Sequence, residues 1–168
     1  MSNEGQQAAP WQVVRTLQVL TAAMVAGVVF FLVVALVLVE SAGAFMPGLN
    51  SYHTILLVVV MFIAFTCMLA AKKILARGQV NAKNSIKPLS GKLNIYRTSF
   101  VIYLVVLETP AWITLVIYLL TGSFPFLALA AVTLGLIIAG WPTVPRLVSA
   151  LELDWQMQEQ LKKPVSPV

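Results

Sequence analysis

FVIYLVVLETPAWITLVIYLL, Phe100 to Leu120, is a run of 21 residues with a single charge, Glu108, near its middle. About 20 apolar residues are enough for a helix to cross the ~30 Å hydrocarbon core of a bilayer. The stretch therefore predicts a membrane span. A carboxylate at that depth is costly and marks a functional position by default.

Three more apolar runs flank it, over about 17–39, 54–71 and 124–141. The chain has 168 residues, of which 60% are hydrophobic and 10% charged. Soluble domains carry about 25% charged residues, and a chain this short cannot bury so much apolar surface in water. The runs are continuous rather than alternating, which argues against a transmembrane barrel. The expected fold is an all-α integral membrane four-helix bundle.

Charge placement predicts its orientation. Every Lys and Arg lies outside the four runs. Lys72, Lys73, Arg77, Lys83, Lys87, Lys92 and Arg97 fall between the second and third runs with no acid among them. By the positive-inside rule this segment, read as a loop, is cytoplasmic. With four spans both termini are then cytoplasmic, in agreement with Arg15, Arg146, Lys162 and Lys163. Residues 1–10 are expected as a polar tail, 11–145 as the four-span domain, and 146–168 as a cytoplasmic helix and tail. In RLVSALELDWQMQEQLK, Arg146 to Lys162, Leu147, Leu151 and Trp155 recur every four residues, the pattern of one amphipathic helix. Ala42-Gly43-Ala44 has the look of a signal-peptidase site, but the first run is longer than a signal h-region and is expected to stay uncleaved. The net charge of +5 is distributed as topology signals are, not as a nucleic-acid footprint. Val13-Val14-Arg15-Thr16 and Ile95-Tyr96-Arg97-Thr98 open the first and third runs alike, which is compatible with a duplicated helical hairpin. Any four-span chain with both ends inside shares that outline.

Glu108 follows Arg97 by eleven residues, about 16 Å along a helix. No Lys or Arg lies at its depth, so it is expected to be protonated or to find its partner on another subunit. Pro110 has no N–H, which frees the carbonyl of Val106 and predicts a kink. Thr66 and Cys67 on the second run and Thr133 on the fourth are the polar neighbours expected at this level. Trp11, Arg15, Lys72, Lys73, Arg97 and Trp141 read as membrane-interface residues. His53 has no Cys, Asp or Glu at metal-ligand spacing. No phosphate loop, nucleophile elbow or metal motif occurs, so no enzyme, cofactor or metal is expected.

Glu108-Thr109-Pro110-Ala111 in one span, the Thr121-Gly122-Ser123 turn, and Trp141-Pro142-Thr143-Val144-Pro145-Arg146-Leu147 closing the next resemble a group of small uncharacterised four-helix bacterial membrane proteins. Those proteins carry Glu-x-Pro-Ala and Pro-Thr elements at matching places. The resemblance covers roughly Arg97 to Leu153 and implies no known activity. A second, distant resemblance is to duplicated proteolipid (c-type) subunits of rotary ATPases, which implies Glu108 as an ion-binding carboxylate. In those subunits the carboxylate sits on a returning, even-numbered helix, the helices are packed through glycines, and the hairpin loop carries a polar motif. Here the acid is on the third span, glycines are few, and that loop motif is absent.

The expected function is an accessory or structural subunit of a larger bacterial membrane complex in the inner membrane, with Glu108 as a polar anchor. The alternative is a proton- or sodium-coupled, proteolipid-like protein with Glu108 as the carrier. The expected partners are the lipid bilayer and either other membrane subunits or further copies of the chain, and no nucleic acid.

Overall fold

In hydrocarbon no water satisfies a backbone N–H or C=O, so even a Val-rich run must close its hydrogen bonds internally as a helix. The computed structural model describes residues 10–86 and 88–162. It places six α-helices there: α1 (Pro10–Ala42), α2 (His53–Lys83), α3 (Leu89–Thr121), α4 (Phe124–Ala139), α5 (Val144–Leu151) and α6 (Trp155–Lys162). A 3₁₀ turn, Pro47–Tyr52, precedes α2, and there is no strand among the described residues. The tail expected over residues 1–9, together with Lys87 and residues 163–168, lies outside the described residues.

α1, α2 and α3 are each long and apolar enough to cross a membrane. α4 has 16 residues, or about 24 Å, which is short of a ~30 Å core. With α5, bent 73° from it, α4 makes a fourth candidate span. All described Lys and Arg lie at one end of the molecule, here called the basic end. The other is the turn end.

The segment between Lys72 and Arg97 is not a loop. α2 continues to Lys83 and α3 begins at Leu89. Lys, Arg, Ala and Gln are good helix formers, and the extensions carry an apolar seam of Ala71, Ala82, Leu89 and Leu93 that packs into the largest core cluster. Gly78 belongs to the same seam. A Cβ there would lie 2.2 Å from the Ser99 side chain, so only glycine permits this approach of α2 to α3.

α3 occupies the centre and packs against α1, α2 and α4. α1 and α2 are consecutive in sequence yet share no extensive interface. α1 turns Val14, Leu17, Thr21, Val28 and Ala35 inward, a near-heptad spacing like that of a coiled-coil seam. At the turn end Gly122 takes φ +66, and its N–H donates to the Tyr118 carbonyl. The N–H groups of Phe45 and Met46 donate to the last carbonyls of α3, on Leu119 and Leu120. These bonds tie the α1–α2 connection to α3.

The C-terminal segment differs from the single helix expected. Glu152 adopts φ +45, the left-handed conformation that ends a helix, so α5 stops at Leu151 and α6 starts afresh at Trp155. Leu147, Leu151 and Leu153 are buried in the same cluster as Val13, Val14 and Leu17 of α1. Lys83 of α2 pairs with Glu152. α5 is thus a packed element of the basic end.

Candidate functional site

Glu108 lies on one edge of α3. Leu104 precedes it by a turn and Trp112 follows by a turn, and residues four apart share a helix face. The Trp112 ring rests against Phe31 of α1, with centroids 5.2 Å apart, and above Gly27. The Glu108 edge therefore borders α1. The side chain is half-buried, and it makes no hydrogen bond or ion pair with a described residue. Thr109 donates to the Val105 carbonyl at 2.9 Å, and among the described residues no side chain donates to the Val106 carbonyl. Thr114 donates to both Pro110 and Ala111 carbonyls at 2.8 Å. α3 runs unbroken through Pro110.

The polar residues expected around Glu108 go elsewhere. Thr66 is exposed and donates to the carbonyls of Phe62 and Ile63 on its own helix. Thr133 is buried and donates to Leu129. Pro110 and Thr133 do come together, in an apolar groove of about 210 Å³ where α2 and α4 diverge over α3. Met61, Ala64, Phe65 and Met68 form its α2 wall; Leu107 and Pro110 its floor; Leu129, Val132, Thr133 and Leu136 its α4 wall. Neither Glu108 nor Thr66 lines it. The expected interface residues all sit at the basic end. Arg15, Lys72, Lys73 and Arg97 are exposed there, and Trp11 and Trp141 are half-buried.

A second constellation was not anticipated from sequence. After α4 ends, the chain turns through Gly140-Trp141-Pro142-Thr143, and Arg146 reaches back across the turn. Its Nη1 donates to the Ala139 carbonyl at 2.6 Å and to that of Trp141 at 3.4 Å. A cation at a helix C-terminus satisfies the orphan carbonyls and complements the macrodipole. Gln18 of α1 donates to the Pro142 carbonyl at 3.1 Å. The Tyr103 hydroxyl lies against Gly140, where a Cβ would be 2.9 Å away. Tyr96 stacks on Phe100 with centroids 5.8 Å apart, and Phe100 meets Tyr103 at 5.7 Å. The Arg146 guanidinium lies within electrostatic reach of both phenols. The signal was present in the sequence as an arginine just after a Gly-Trp-Pro helix stop. What it lacked was any mark linking that arginine to Gln18 or Tyr103. Among the described residues no three His, Cys, Asp or Glu side chains gather as metal ligands.

No family model, no curated protein and no solved structure matches the chain.

Proposed function

We propose that the protein is an accessory or structural subunit of a larger complex in a bacterial inner membrane, with its basic end in the cytoplasm and Glu108 as the anchor for a neighbouring subunit or a second copy. The observation that supports this is the isolation of Glu108. The buried hydroxyls of Thr21, Thr114, Thr121 and Thr133 all bond within their own helices, and no buried polar side-chain atom among the described residues lacks a partner. The Glu108 carboxyl, in the middle of an apolar span, has no hydrogen-bond or ion-pair partner among the described residues. A carboxyl in hydrocarbon needs a donor or an acceptor, and a docked helix supplies one.

The test is the native mass of the particle extracted in mild detergent, for the unaltered chain and for Glu108→Gln and Glu108→Leu. The expected result is a particle larger than one chain, retained by Glu108→Gln, which still hydrogen-bonds, and loosened by Glu108→Leu. An unaltered chain that runs as a lone monomer overturns the reading. So does a ring of many identical copies whose ion flux in liposomes is abolished by Glu108→Gln with assembly intact, because that is the behaviour of a proteolipid-like carrier.

A further inference from the structure

Beyond the groove between α2 and α4, toward the basic end, each lining stripe continues to a polar position. On α2, Met61, Phe65 and Met68 continue along one face to Lys72, four residues on, or about 6 Å. On the α3 floor, Leu107 is followed one turn toward the basic end by Tyr103. On the α4 wall, Leu136 is followed one turn on by Gly140, beside the carbonyls that Arg146 caps. The three lining stripes thus pass, at the same step, from hydrocarbon to an ammonium, a phenol and a guanidinium. Lys72 is exposed and pairs with no described acid. The Tyr103 hydroxyl touches Gly140 but makes no hydrogen bond to a described residue. Arg146 spends one nitrogen on two carbonyls and keeps further N–H donors, of the five a guanidinium carries, for an anion.

We infer that this groove holds one acyl chain of an anionic phospholipid, whose phosphate is received by Lys72, Tyr103 and Arg146. The groove is apolar throughout its walls except for Thr133, whose hydroxyl is already bonded, so it suits a chain rather than a polar ligand. Along α2 it spans about 10 Å from Met61 to Met68, part of the length of one leaflet's acyl chain. Charge complementarity chooses the head. Basic pockets between membrane helices recognise anionic lipid heads, and one turn beyond the lining toward the basic end α2 carries the exposed Lys72, while Tyr103 and Arg146 flank the end of α4. The inference stands independently of Glu108, which does not line the groove.

The experiment is native mass spectrometry of the full-length chain in detergent, titrated with phosphatidylglycerol or phosphatidylcholine. One phosphatidylglycerol is expected to be retained in preference to phosphatidylcholine. Lys72→Gln is expected to weaken that retention about fivefold, while Lys73→Gln, a hundred degrees around the helix, leaves it within twofold. Ala64→Leu, which fills the groove, is expected to lower retention of both lipids. Equal retention of the two lipids overturns the inference. A preference that survives Lys72→Gln, or one that falls equally with Lys73→Gln, also overturns it, because each outcome points to diffuse attraction to the basic end.

Discussion

At Gly78 two helices come too close to admit a side chain. With Ser99 Cβ and Oγ both 2.2 Å from where a methyl would stand and Ser99 Cα at 3.7 Å, Gly78→Ala must push α2 and α3 apart. Overpacking of this kind costs about 1–3 kcal/mol. Thermal unfolding in detergent is expected to show a lowered midpoint for Gly78→Ala and partial recovery when Ser99→Gly is added. A variant as stable as the parent would mean that the helices are not in this register. Single residues were unequally legible in the sequence. Glu108 stood out because charge is rare in such a run, and its depth followed from counting. Its azimuth did not. Thr66 lies at a comparable level on α2, but sequence spacing gives height along a helix and not which way the helix is turned, and Thr66 faces outward. Glu108's lack of a partner among the described residues could be seen only once the neighbouring helices were in place.

At the level of elements, α5 is held by Leu147 and Leu151, both nearly inaccessible. Leu151→Ala would leave a cavity between α5 and the α1–α3 ends. Such truncations cost about 2–5 kcal/mol. The expected local consequence is faster amide exchange over residues 144–153, with the middle of α3 unchanged, as read by hydrogen–deuterium exchange. Uniform acceleration through α3 would instead mean that α5 is part of one cooperative unit with the spans. The helical middles were legible, because hydrocarbon-length apolar runs permit little else. The ends were not. Lysines at 72, 73, 83 and 92 read as the close of a span and the start of a loop, yet charge on one face does not stop a helix whose other face, Ala71, Gly78 and Ala82, is small and covered. Conversely, the four-residue recurrence of Leu147, Leu151 and Trp155 read as one helix. Glu152's left-handed backbone breaks it, and Trp155 is left exposed.

For the molecule as a whole, the gathering of the basic residues at one end was plain in the sequence, whereas the central place of α3 was not, since α3 differs from its neighbours only modestly in composition. Orientation is tested with single cysteines in a Cys67→Ala background. Ser51→Cys, at the turn end, is expected to react with a membrane-impermeant maleimide in intact cells. Asn84→Cys, at the basic end, is expected to react only after permeabilisation. The opposite pattern would reverse the proposed topology. The placement of α3 also bears on how the protein is made. Chains emerge N-terminus first, and membrane helices associate after each has inserted. α1 and α2 arrive with almost nothing to hold on to in each other, and their connecting segment is fastened by carbonyls of α3 that have not yet been synthesised. Inserted as it emerges, such a chain would pass through a stage of two solitary helices, and the third would be the template on which the earlier two are assembled.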